Sequence, residues 1–278
     1  MINLLTDSCA DLNQELTSRF AIHTISLTVF INGKIYQDGV NLSLPELYHQ
    51  VEMSGELPKT SAPSVAEFQT FFQSVPGDLI YLGIGSKLSA TYQNAYLAAE
   101  NLPERKILVI DSKNLSTGVG LLVLRAAEMR DQGLRVDELE KEIHSLIPKV
   151  HTSFMVDTLE YVYKGGRCSA VENLVGSLLK IRPIIEVKRD GSLGIKDKTR
   201  GTRKKALAFL LDDFETHLPN IDLRRVFVTH TGCDEDGKFL AEELKKIAPI
   251  EEIHITTAGC TISSHCGPGT IGILYLEK

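Results

Sequence analysis

An α/β protein built around mixed, mostly parallel sheets is the fold class this sequence predicts, and two observations carry the prediction. Short apolar runs alternate with amphipathic stretches of helical period along the whole chain. With 278 residues, of which 43% are hydrophobic, there is enough apolar surface to bury one large core or two modest ones.

Strands are expected at 2–5, 22–31, 79–84, 107–110, 153–156, 181–187, 225–229, 253–257 and 270–276. Asn32-Gly33 and Asp190-Gly191 are hairpin signals after the second and sixth of these, so antiparallel pairs enter the sheets. Ser43-Leu44-Pro45-Glu46 and Ser64-Val65-Ala66-Glu67 have capping-box spacing, in which hydroxyl and carboxylate each take an orphan N–H, so helices start there. The second box leaves Thr60 and Ser61 in a loop ahead of its helix. An alanine-rich helix opens within 88–95. Two successive helices follow at about 117–132, ended by Gly133, and 136–147. A short helix at 159–163 runs into Gly165-Gly166, which allow a left-handed end. The paired helices put a domain boundary near residue 150, dividing the chain into 1–150 and 151–278. Neither an internal repeat nor a low-complexity linker is present.

Composition narrows the function. A net charge of −6 disfavours nucleic acid as a partner. No apolar run approaches the roughly 18 to 20 residues of a membrane span, so at most transient membrane contact is expected. The start, Met1 to Asp7, lacks the basic residues and cleavage site of a signal peptide, which suggests the cytoplasm. The five cysteines are odd in number and form no C-x-x-C pair, arguing against a disulfide framework or a zinc site. Gly232-Cys233-Asp234-Glu235-Asp236-Gly237-Lys238 has P-loop spacing, but Phe239 replaces the hydroxyl residue and three acids would repel phosphate. Gly83-Ile84-Gly85-Ser86 completes neither a dinucleotide fingerprint nor a hydrolase elbow. No cofactor and no metal are expected.

Three hydroxyl-rich segments stand out. Residues 258–269 read as a Gly/Ser/Thr-rich loop in which His265 is uncrowded and backbone N–H groups can approach a small anion. Thr60-Ser61 sits between Pro58 and Pro63, which stiffen it. Ser89 and Ala90 lie where a strand passes into a helix, whose first N–H groups are unpaired, although Ser86 or Ser89 could simply cap that helix. Arg167, after the two glycines, is either a surface arginine or a guanidinium held over an anion. Lys196, Lys198, Arg200, Arg203, Lys204 and Lys205 form a basic run against Asp197, read as a solvated helix start or as a dock for an acidic partner or phosphate. His230 and His254 read as structural.

Taken together, Thr6-Asp7-Ser8-Cys9-Ala10-Asp11-Leu12, Thr60-Ser61-Ala62-Pro63-Ser64, Leu88-Ser89-Ala90-Thr91-Tyr92-Gln93, Gly165-Gly166-Arg167 and His265-Cys266-Gly267-Pro268-Gly269 resemble, in order and over nearly the whole chain, the signature blocks of the DegV family, the fatty-acid-binding proteins of bacterial fatty acid kinase. Ala90 departs from a common glycine and Cys266 from a common threonine. The resemblance implies two α/β domains with a long-chain fatty acid buried at their junction, carried unchanged. Thr60, Ser61, Ser89 and the Ala90 amide would then bind the carboxylate, with His265 and Arg167 shaping the charge around it. It also implies a separate ATP-dependent kinase that converts the bound acid to an acyl phosphate, with Arg200 and Arg203 near its docking surface. Leu174, Val175, Leu178, Leu179, Ile181, Ile184 and Ile185 are candidates for the tail cavity, although core packing explains them equally well. Two rival readings remain open. One is a serine hydrolase using Ser61 or Ser89, His265 as base and Asp7 or Asp111 as orienter; the other is a carbonyl-sugar or phosphosugar binder with a polar cavity.

Overall fold

The computed structural model describes residues 1–170 and 181–278. The chain begins with β1 (Ile2–Asp7), a 3-10 turn at Ser8–Ala10, α1 (Gln14–Arg19), β2 (Ile22–Ile25), β3 (Thr28–Ile31) and β4 (Lys34–Gln37). It continues through α2 (Leu44–Ser54), β5 (Lys59–Ser61), α3 (Val65–Ser74), β6 (Asp78–Gly83), α4 (Thr91–Glu100) and β7 (Ile107–Asp111). Next come α5 (Thr117–Asp131), α6 (Val136–Leu146), β8 (Val150–Met155), α7 (Leu159–Gly165), β9 (Ile181–Val187) and β10 (Leu193–Arg200). The last elements are α8 (Arg203–His217), β11 (Ile221–His230), α9 (Asp234–Ile247), β12 (Glu252–Thr257), α10 (Cys260–Cys266) and β13 (Ile271–Glu277). Among the described residues no helix is long and apolar enough to cross a membrane.

The described strands form three sheets. The first, ordered β2-β1-β6-β7, is parallel throughout. A small antiparallel sheet, β4-β3-β5, stands beside it. The third, β10-β9-β8-β13-β11-β12, is antiparallel except at β11–β12. The α/β class and mixed pairing are as expected, with the parallel share concentrated in the first sheet. Both hairpins form: Asn32 and Gly33 have φ of +51° and +70° between β3 and β4, and Gly191 turns β9 into β10 at φ +86°. The Ser64–Glu67 capping box is reciprocal, with Glu67 accepting from the Ser64 N–H at 2.7 Å.

Three expectations are corrected. The 22–31 stretch is not one strand, because the chain leaves the parallel sheet after Ile25 and enters the small sheet at Thr28, turning Leu27 inward, where its N–H donates to Ser8 Oγ at 3.1 Å. Residues 258–269 are not all loop, since 260–266 form α10. Thr60 and Ser61 likewise belong to β5, a three-residue edge strand, rather than to a loop.

Helix α5 packs between the parallel sheet and the third sheet. Eleven of its fifteen residues are buried, the exceptions being Arg125, Glu128, Arg130 and Asp131, so the helix must be covered on most sides. Leu4, Ile80 and Ile110 of the parallel sheet share its cluster with Phe227, Leu274 and Leu276 of the third sheet. Leu122→Ala, at a fully buried position, should cost about 2–5 kcal/mol. Because the cluster is shared, urea unfolding monitored separately in the two halves should shift to lower concentration together; a shift in one half alone would contradict a common core.

Candidate functional site

A cavity of about 380 Å³ opens where the parallel sheet, the small sheet and the third sheet meet. Its floor is one face of the third sheet, Thr152 and Phe154 of β8, Gly272 and Leu274 of β13 and Thr229 of β11, set by strand alternation. Gly272 lets the strands close up, since a Cβ there would lie 2.6 Å from the Ser153 carbonyl oxygen. Leu27, Ile84, Leu88, Leu115, Val162, Leu193 and Ile262 supply apolar walls.

All six residues singled out from the sequence, Thr60, Ser61, Ser89, Ala90, Arg167 and His265, line this cavity. Thr60 on β5 meets His265 on α10, with Oγ1 and Nε2 2.7 Å apart. The imidazole Nδ1 is buried and lacks a hydrogen-bond partner among the described residues. Burial, reinforced by the Arg167 charge, lowers the His265 pKa to about 4, so the ring is neutral near pH 7. Gly165 makes room for it: a Cβ at that position would lie 2.8 Å from Nδ1. Gly166, at φ +68°, ends α7 in the expected left-handed turn and leads to exposed Arg167, whose guanidinium donates to the Gly165 carbonyl at 2.6 Å.

Ser89 does not cap α4 conventionally. Ala90 is the N-cap and has no side-chain cap bond, while Ser89 Oγ lies 2.7 Å from Thr91 Oγ1 and accepts the Thr91 N–H at 3.2 Å. The turn before it is pinned by Asp111, which accepts from Ser86 N–H and Oγ–H at 3.0 and 2.6 Å.

Three buried aspartates position these walls. Asp7 accepts from Tyr81 Oη–H at 2.7 Å and from the Ile84 and Cys9 N–H groups at 2.9 Å each. Asp11 takes the Ser116 hydroxyl at 2.5 Å and the Gly259 N–H at 2.7 Å. Asp38 takes the N–H groups of Cys260 and Thr261 at 2.7 and 3.2 Å, capping α10 from the far end of the sequence. Sequence reasoning missed Asp38, whose only local signal is the turn it shares with Gly39, at φ +74°.

The hydrolase arrangement is not assembled. Asp7 and Asp111 are engaged as described, and Ser61 Oγ–H donates to the Ala62 carbonyl at 3.1 Å, leaving His265 without a carboxylate orienter among the described residues. Of the tail candidates, Leu174, Val175, Leu178 and Leu179 lie outside the described residues. Ile181, Ile184 and Ile185 are absent from the cavity lining; Ile184 packs into the cluster under α8, and Ile185 packs behind the wall residues Phe154, Val162, Leu115, Leu193 and Ile262. Arg200 is exposed at the end of β10, away from the cavity lining. Arg203 is also absent from that lining and pairs with Asp236 at 2.5 Å and Asp157 at 3.5 Å. His230 is buried, and its Nδ1 accepts the Cys233 N–H at 3.4 Å. His254 stacks on Phe227. Cys266 donates to the Ile262 carbonyl at 2.9 Å rather than toward His265.

The family model described as an uncharacterised protein of the DegV family matches residues 1–278. A DegV domain-containing protein of Caldanaerobacter subterraneus subsp. tengcongensis is 32% identical over 280 residues, spanning 100% of this chain and 99% of that protein. Among solved structures, a DegV family protein from Thermus thermophilus, described by its fatty acid binding, has TM-score 0.93 at 32% identity, covering 100% of this chain and 99% of that one. DegV from Bacillus subtilis, a fatty acid binding protein, has TM-score 0.89 at 28% identity, with the same 100% and 99% coverage. A stearic acid-binding protein from Eubacterium ventriosum has TM-score 0.89 at 27% identity, again over 100% and 99%.

Burial raises the Asp11 carboxyl to about 8 despite its two hydrogen bonds. A proton held more tightly in the folded than the unfolded chain stabilises fully below pH about 4, and that contribution is lost as pH rises through about 8. Asp11→Asn is uncharged and isosteric, so its Tm should fall less than that of the unsubstituted protein between about pH 6 and 9. Equal falls in calorimetry would mean that Asp11 is already ionised at the lower pH.

Proposed function

The chain belongs to the DegV family, and on that premise we propose that its cavity holds one long-chain fatty acid, with the carboxylate at the Thr60, Ser61, Ser89, Ala90, Arg167 and His265 end. The observation that carries the reading is the convergence of these residues from β5, the α4 start, the α7 end and α10 on one apolar-walled cavity. Neutral His265 donates Nε2–H to Thr60 Oγ1, which frees the threonine O–H for the carboxylate. Ser89 Oγ–H is the second donor and the Ala90 amide, at the opening of α4, the third. Arg167 supplies the positive charge at the rim. A sixteen-carbon chain gains on the order of 11 kcal/mol gross from burial at about 0.8 kcal/mol per CH₂, before ordering and association costs. The tail therefore sets affinity, and the head group sets orientation.

The protein carries the acid unchanged in the cytoplasm and presents it to a separate ATP-dependent kinase for acyl phosphate formation, feeding phospholipid metabolism. Exposed Arg200 belongs to the docking surface, whereas Arg203 shapes it through its pairs with Asp157 and Asp236.

Native mass spectrometry of freshly purified protein, followed by solvent extraction, should release one long-chain acid per chain; a protein that stays empty after incubation with oleate and palmitate would overturn the reading. Thr60→Val preserves shape and removes a donor to a charged group, so it and Ser89→Ala should each weaken binding by roughly tenfold to a hundredfold in displacement of a fluorescent fatty acid. Unchanged affinity would remove the carboxylate from this end of the cavity. Arg200→Glu should leave that affinity intact and lower turnover in an assay coupled to a fatty acid kinase.

A further inference from the structure

The face of the third sheet turned away from the cavity carries a second polar cluster. His151 precedes cavity-facing Thr152 on β8, so it points to the opposite side, where α8 packs. There one ligand atom each from His151, Asp213 and His217 falls within 4.8 Å of the others. Asp213 and His217 are four residues apart on α8 and so share a helix face. Asp213 Oδ2 is 3.2 Å from His151 Nε2, and the His151 and His217 rings are 4.8 Å apart. Tyr275 fixes the first ring by stacking on it at 4.5 Å.

A cation already occupies the centre. Lys196 Nζ lies 2.6 Å from Asp213 and 3.2 Å from His151 Nε2. The strand is distorted to put it there. Ile195 pairs with Ile185 and Asp197 with the very next residue, Ile184, so Lys196 is the extra residue of a β-bulge, a device that re-aims a side chain. Of the basic run, this lysine is turned inward.

We propose that His151, Asp213 and His217 form a site for one divalent transition metal, which the Lys196 ammonium plugs when metal is absent. Two imidazoles and one carboxylate suit zinc, cobalt or nickel and not the all-oxygen preference of magnesium or calcium. Entry is from the His217 side, 31% exposed. The metal replaces two present interactions, the lysine contacts and the 2.7 Å bond from His217 Nδ1 to the Asp213 carbonyl, and the lysine's flexible stem lets it swing out. The hydroxyl of Tyr275, whose ring stacks on His151, is buried without a partner among the described residues.

The test is titration of chelator-treated protein with Co²⁺ in chelator-free buffer. One Co²⁺ per chain should bind with visible d–d bands and no thiolate charge-transfer band, separating the site from the cysteines. Lys196→Met should tighten binding by about tenfold or more, and adding His217→Ala should reverse that gain. Binding no tighter in Lys196→Met, or unchanged by His217→Ala in either background, overturns the proposal. If Lys196→Met fails to fold by circular dichroism, His217→Ala in the otherwise unaltered protein decides alone: weaker cobalt binding supports the site and unchanged binding overturns it.

Discussion

The cavity exists because carboxylates from the first forty residues are buried against backbone N–H groups that come late in the chain. Asp11 and Asp38 between them take the amides of Gly259, Cys260 and Thr261. An orphan N–H at a helix start costs about 1–3 kcal/mol if buried without a partner, so these bonds decide whether α10 forms where it does. With α10 in place, His265 reaches Thr60; without it the cavity loses a wall. Burial, with the neighbouring Asp38 and Asp7 charges adding to it, raises the Asp11 pKa, a cost tolerated only where donors converge.

The contrast between α10 and its own sequence shows where sequence reading stops. Gly, Ser and Thr have weak helix propensity because short hydroxyl chains compete for backbone groups, so the segment reads as loop. In the folded protein that competition is turned inward: Ser264 Oγ–H donates to the Cys260 carbonyl at 2.6 Å and Ser263 to that of Ala258 at 3.3 Å. Its cap is more than two hundred residues distant, beyond any local pattern. The Ser64–Glu67 capping box, the Ser43 cap on Glu46 N–H, which forms without the reciprocal carboxylate half, the hairpin turns and the Gly165-Gly166 helix end were legible because their bonds close within four residues.

For the candidate site the division is similar. Hydroxyls and the histidine announce themselves by type and by the proline and glycine around them, and all six converge. The apolar walls do not, since Phe154 or Leu274 looks like any other strand residue until the sheet face it occupies is known. Of the positioning aspartates, Asp7 and Asp11 are legible only as members of a signature block and Asp38 only as a turn residue. His151, Asp213 and His217 are likewise dispersed in sequence and meet through a strand, a helix and a bulge.

Helix α5, buried at eleven of its fifteen residues, has a further consequence. Prying the two halves apart as rigid bodies would bring Phe227, Leu274 and their partners into water at roughly 25 cal/mol per Å² of apolar surface, a penalty set by the whole shared core. The route into the cavity that leaves that core intact is therefore local rearrangement at the rim, where Ser61, Ala90 and Arg167 are already exposed. Access to the cavity is thereby separated from disruption of the shared core.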